Sequence, residues 1–127
     1  VEAEAPRPEG PAVRKLIDAY GAGGFRVGGA RVEGAVLVSA AGLWPWPVSA
    51  LGDATIETMR ALLDDGGPIE ILLLGCGSGM APPPATLRGA LLARGIRLEP
   101  MATGAACRTF NVMAAERRPV AAALLAV

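Results

Sequence analysis

Three short apolar runs in the second half of the chain, Ile69–Leu74, Ile96–Met101 and Val120–Leu125, are separated by two stretches of helical character. This order constrains the fold more than any other feature. Ile69–Leu74 is too continuous to leave one face in water, which suits a central strand of a parallel sheet. Pro84 suits the first residue of a helix running to Arg94, with Gly95 as its stop. Gly104–Glu116 reads as a further helix, with Thr103 as its cap. Strand–helix–strand–helix–strand implies at least one right-handed parallel crossover.

The first half has a different rhythm. Residues 1–13 are rich in Pro, Ala and Glu without any period, and read as a flexible N-terminal arm. Order is expected from about Leu16, with β signals as far as Trp44. Phe25 and Val27 alternate with polar neighbours, Gly28-Gly29 supplies a two-residue turn, and Arg31-Val32 begins the return strand. Ala35–Val38 and Leu43-Trp44 are further short strands, and Pro45-Trp46-Pro47 stops regular pairing. Thr55–Asp64 places Ile56, Met59, Leu62 and Leu63 on one helical face, capped by Asp53 or Thr55 and ended by Gly66-Gly67. The expected fold is α/β: a single three-layer domain over 14–127, with a mixed central sheet flanked by helices and an N-terminal β-hairpin layer.

Composition sets limits on function. At 52% hydrophobic and 19% charged residues, the chain has the makings of a core rather than of disorder. Its longest apolar runs, Ile71–Leu74 and Val120–Val127, fall far short of the ~20 residues of a membrane-spanning helix. No basic-then-apolar signal opens the sequence, although a chain beginning at Val1 can have lost one. The expectation is a cytoplasmic protein that reaches the inner membrane only through partners.

Twelve cationic side chains balance twelve acidic ones, and no basic block exceeds Arg117-Arg118, which argues against nucleic-acid binding. There is no histidine, so His-dependent triads and the commonest metal ligand are absent from the chain. Cys76 and Cys107 have neither zinc-type nor C-x-x-C spacing, and the plain reading is two buried thiols. No catalytic set, metal site or cofactor is expected.

Two loops carry the candidate site. Gly75-Cys76-Gly77-Ser78-Gly79 follows a strand as the cofactor loop of S-adenosylmethionine-dependent methyltransferases does. However, Leu73 stands where an acid belongs, and Met80 where the dinucleotide fingerprint needs its third glycine. A sharp turn explains these glycines without a ligand. The second loop begins at Thr103, after the other candidate central strand. If the two strands are parallel neighbours, both loops emerge at their carboxyl ends, the usual place for ligands.

Thr103 and free N–H groups at the helix start, with Arg108, then suit an anion. Asn111 lies one turn beyond Cys107, so both can face one cleft. A helix start and Arg108 would also lower the Cys107 pKa. The candidate cleft residues are therefore Gly75, Cys76, Gly77, Ser78, Thr103, Cys107, Arg108 and Asn111. A separate candidate for protein binding is an apolar ridge of Trp44 and Trp46, for which core packing is the equal alternative.

Four spaced elements, taken together, carry a resemblance. They are Gly24-Phe25-Arg26-Val27, Pro45-Trp46-Pro47-Val48, Ile71–Gly77, and Ala105-Ala106-Cys107-Arg108-Thr109-Phe110-Asn111. Over Leu16–Val127 the chain resembles a widespread family of unknown function whose eukaryotic member is mitochondrial respiratory complex I assembly factor 3. Ala106–Asn111 is the most specific piece.

The resemblance implies a three-layer fold with a mixed sheet. It also implies a non-enzymatic role in assembling NADH:ubiquinone oxidoreductase through protein partners, either respiratory complex subunits or other assembly factors. Cys76 stands where the family commonly has threonine, and Ala102 where an acid often precedes Thr103. A small-molecule or anion-binding protein using the cleft is the alternative, and homo-oligomerisation is left open.

Overall fold

The computed structural model describes residues 16–127. The arm expected over residues 1–13 lies outside the described residues. The described chain runs β1 (Ile17–Gly21), β2 (Gly24–Val27), β3 (Ala30–Glu33), β4 (Val36–Ser39), β5 (Gly42–Pro45), α1 (Arg60–Asp65), β6 (Ile71–Gly75), α2 (Ala85–Leu92), β7 (Arg97–Met101), α3 (Thr103–Ala115) and β8 (Val120–Leu124). β1, β2 and β3 form an antiparallel sheet in that order. The other strands form a five-stranded mixed sheet in the order β5-β4-β8-β6-β7. In it β6 is parallel to both β7 and β8, and β4 is antiparallel to both β5 and β8.

The two-residue side-chain period of the strands divides the core into two layers. Leu37, Leu72, Leu74, Leu98, Ala121 and Ala123 face one side, where Met59, Leu62, Leu87, Leu91 and Trp46 cover them. Val36, Val38, Leu73, Val120, Ala122 and Leu124 face the other. There, Ala106, Cys107, Phe110 and Met113 of α3 pack beside Ile17, Phe25 and Val27 of the antiparallel sheet. The three-layer α/β reading, with its mixed sheet and N-terminal hairpin layer, matches this architecture.

Several local expectations need correction. β7 is an edge strand, not a central one. Pro100 lies within it and has no N–H for a second neighbour, which restricts such a strand to an edge. The helix expected over Thr55–Asp64 is divided into a 3-10 turn at Glu57–Met59 and the short α1. Thr55 and Thr58 cap that turn reciprocally, each hydroxyl accepting the other's backbone N–H at 3.3 and 3.2 Å. Asp53 belongs to a separate 3-10 turn, Leu51–Asp53. Pro84 occupies the N-cap position of α2, one residue ahead of the helix.

The centre of the sheet is built from very small side chains. Ala122 is aligned with Val38 on one side and Leu73 on the other, within the layer that holds Phe110. Close-packed interiors do not absorb extra methylenes freely. Ala122→Leu is expected to destabilise the fold by about 1–3 kcal/mol. Urea unfolding checks this: the midpoint falls while the slope stays that of the wild type.

Candidate functional site

The loops after β6 and β7 meet at the carboxyl ends of these parallel strands, and one buried hydroxyl ties them. Thr103 is 0% exposed. Its Oγ1 accepts the Gly77 N–H at 3.0 Å and donates to the Leu125 carbonyl at 2.9 Å. Its own N–H donates back to the Gly77 carbonyl at 2.8 Å. Thr103 was expected as the helix cap. Instead Ala102 holds the N-cap position with no side-chain cap bond, and Thr103 is the first helical residue. The hydroxyl faces inward because two main-chain groups of neighbouring segments there need partners.

Two of the three glycines of the first loop have a structural cause here. A Cβ on Gly75 would stand 2.9 Å from both Thr103 Oγ1 and Leu124 Cδ2, too close for either to remain in place. Gly77 has φ +106°, a conformation that L side chains rarely adopt. Cys76 points to the opposite layer, half-buried against the core there, with its sulfur 3.4 Å from the Ala81 carbonyl oxygen.

Beside this tie lies a cavity of about 400 Å³ lined by Tyr20, Gly77, Ser78, Ala102, Gly104, Ala105, Arg108 and Val127. Gly77, Ser78 and Arg108 of the candidate residues thus share one cleft, whereas Gly75 and Thr103 do not line it, Thr103 meeting it only through its bond to Gly77. Tyr20 of β1 forms a wall that the sequence reading missed. It lies so closely over Gly104 that a Cβ there would collide with its hydroxyl. No local pattern around Tyr20 announces this, because the contact joins β1 to the distant start of α3. The first-turn N–H groups of Gly104 and Ala105 have no backbone acceptor among the described residues.

Cys107 and Asn111 do not face the cleft together, contrary to expectation. Cys107 is buried among Phe110, Val38 and Leu124. Burial pushes its thiol up to about 11, overcoming the opposing pull of Arg108, so the expected lowering is reversed. Asn111 meets the edge of β1 instead. Its Oδ1 accepts the Ile17 N–H and its Nδ2 donates to the Ile17 carbonyl, each at 2.8 Å. The carboxamide occupies the place a neighbouring strand would take.

Of the two readings of the tryptophans, a surface ridge and core packing, Trp46 takes the second. Trp46 is 3% exposed, and its indole N–H donates to Thr58 Oγ1 at 3.0 Å. Trp44 is half-buried against the same core layer. Trp46 follows β5, where its N–H bonds the Ala35 carbonyl and its ring turns inward.

The fold and its loop tie define a small α/β domain with a mixed five-stranded sheet and an accessory antiparallel sheet. The chain belongs to the family described as Protein of unknown function (DUF498/DUF598), whose pattern matches residues 17–125. An uncharacterized protein of Rhodobacter capsulatus is 40% identical over 121 residues, which cover 95% of this chain and 92% of that protein. NADH dehydrogenase (ubiquinone) 1 alpha subcomplex assembly factor 3 of Danio rerio is 33% identical over 110 residues, 87% of this chain. The match spans 63% of that relative's length. The crystal structure of an outer membrane protein from Bartonella henselae superposes with a TM-score of 0.82 at 39% identity, covering 90% of this chain and 96% of that one.

Two outcomes follow from this geometry. Thr103→Val leaves the Gly77 N–H and the Leu125 carbonyl without their partner and is expected to cost about 1–3 kcal/mol, whereas Thr103→Ser retains most of the stability. Chemical denaturation of both variants measures the difference. Cys107 binds its proton more tightly in the folded chain, with a pKa raised from 9.0 to about 11. Unfolding therefore releases a proton between these values, and its contribution to stability declines as pH rises through that window. In the native protein at pH 8, alkylation of Cys107 should be much slower than in urea, as peptide mass analysis would reveal.

Proposed function

We propose that this chain is a non-enzymatic assembly or scaffold factor for the respiratory NADH:ubiquinone oxidoreductase, acting through protein partners. The observation that carries this reading is the 33% identity with assembly factor 3, which extends over 87% of the chain. The chemistry of the polar groups supports it. Thr103, Asn111 and Ser39 bond main-chain groups, and the Cys107 thiol holds its proton. None of these side chains is held in a form suited to nucleophilic or acid–base work.

Exposed apolar side chains offer contact points for partners, with Met80 at 67% and Leu92 at 65%. Among the described residues no helix is long and apolar enough to cross a membrane. Contact with a membrane-embedded complex would then run through its other subunits.

A second reading is favoured by the cleft: Arg108, Ser78, Tyr20 and two first-turn N–H groups line one cavity, a setting suited to a small anion. In that case a ligand at about 100 times its Kd would stabilise the fold by about 2.7 kcal/mol. Thermal melts with phosphate, nucleotides and a methyl donor, each repeated with Arg108→Ala, distinguish the two readings.

The scaffold reading is tested by cross-linked capture of the tagged chain from its own cells, followed by mass spectrometry. Subunits or assembly factors of the oxidoreductase are expected to be enriched, and Met80→Asp or Leu92→Asp to reduce the yield without lowering the melting temperature. Absence of such proteins from the wild-type capture, with a ligand-dependent melting rise lost in Arg108→Ala, would transfer the assignment to the cleft.

A further inference from the structure

Two sheets in one domain leave four outer strand edges, and among the described residues three of them have outward main-chain groups missing or already occupied. In β5, Trp46 N–H bonds the Ala35 carbonyl, so the strand alternation turns Leu43 and Pro45 outward. Pro45 then presents no N–H to a newcomer. In β7, Arg97 N–H bonds the Glu70 carbonyl and the Met101 carbonyl receives Cys76 N–H, which turns Leu98 and Pro100 outward. Pro100 lacks the donor, and the Leu98 carbonyl is taken by Arg88 Nη1 at 2.9 Å. At β1, Asn111 occupies both main-chain groups of Ile17, and Tyr20 packs on Gly104 of α3.

β3 differs. Its Gly28-Gly29 turn and the bond from Gly34 N–H to the Gly23 carbonyl fix the alternation with β2. Val32 therefore faces β2, and the N–H and C=O groups of Arg31 and Glu33 point to the outer edge, where no strand pairs among the described residues. Arg31 does not cover that edge. Its guanidinium lies across the sheet over Gly24, donating to the Gly21 and Ala22 carbonyls at 3.1 and 2.8 Å and pairing with Glu33 at 2.8 Å. The edge thus alternates cation, apolar residue, anion.

We propose that β3 pairs antiparallel with β3 of a second copy, around a two-fold axis at Val32. That register sets Arg31 opposite the partner's Glu33 and repeats the pair by symmetry. Each copy offers two N–H groups and two carbonyls at this edge, so the seam carries four main-chain hydrogen bonds. The three-stranded sheets merge into one of six strands. Charges on an edge deter unrelated apolar strands, but this order of signs is complementary to itself. An isologous contact of this kind closes at the dimer.

Sedimentation velocity of the full chain over a range from micromolar to millimolar concentration tests the pairing, together with amide hydrogen exchange. A concentration-dependent dimer is expected, in which the Arg31 and Glu33 amides gain protection as concentration rises. R31E places carboxylates opposite one another across the seam and should remain monomeric. R31E/E33R restores opposite signs and should dimerise again. R31P removes one outward donor without touching the β2 ladder and should weaken the dimer at least tenfold, melting temperature serving as the check on folding. A wild-type chain that stays monomeric at millimolar concentration overturns the proposal. So does a dimer in which the Arg31 and Glu33 amides exchange at the same rate at every concentration, or a folded R31E/E33R that remains monomeric.

Discussion

The carboxyl end of the central sheet depends on the hydroxyl of Thr103. Its oxygen joins the turn after β6 to the carbonyl that follows β8, from the first residue of α3. Three segments far apart in sequence are held at one buried point, where an unpaired N–H or C=O would be costly. The close approach this requires dictates glycine at position 75, since any Cβ there would meet Thr103 and Leu124. Gly75 thus has a structural cause that does not involve a ligand.

A second constraint comes from β8. Its five residues are all buried, and its middle ones are alanines. A strand covered on both faces gives side chains no solvent to enter, so their size sets how near α3 and α1 can lie to the sheet. Larger residues sit on β6 and β4, Leu72–Leu74 and Val36–Val38, where the two layers fill the space beside β8. Ser39, the other fully buried polar side chain among the described residues, donates to the Gly66 carbonyl at 2.8 Å and accepts the Ala41 N–H. It ties the end of α1 to the turn between β4 and β5, as Thr103 ties the opposite end of the sheet.

The parts of the fold that were legible in sequence are those set by local pattern. Continuous apolar runs marked β6 and β8, and Gly28-Gly29 marked the β2–β3 turn, because strand burial and turn geometry are written in neighbouring residues. Pro100 was a readable signal that β7 is an edge strand; the apolar run of Ile96–Met101 obscured it. The inward turn of Thr103, the Asn111 bonds to β1 and the burial of Trp46 were not legible. Each depends on a partner remote in sequence: Leu125 and Gly77, Ile17, and Thr58 or Ala35. The same holds for Cys107. Helix start and neighbouring arginine are visible in the sequence and point to a lowered pKa, but the apolar layer that outweighs them assembles only in the folded chain.

Edge chemistry limits how a partner can engage this domain. Prolines at outward positions of β5 and β7 remove donors on both sides of the five-stranded sheet, and Arg88 occupies a carbonyl that remains. Strand addition to that sheet is therefore disfavoured on both flanks. Among the described residues, the β3 edge is the exception, because both of its outward residues, Arg31 and Glu33, keep their N–H groups. Side-chain surfaces tolerate substitution without loss of the core, whereas a strand edge imposes register and sign.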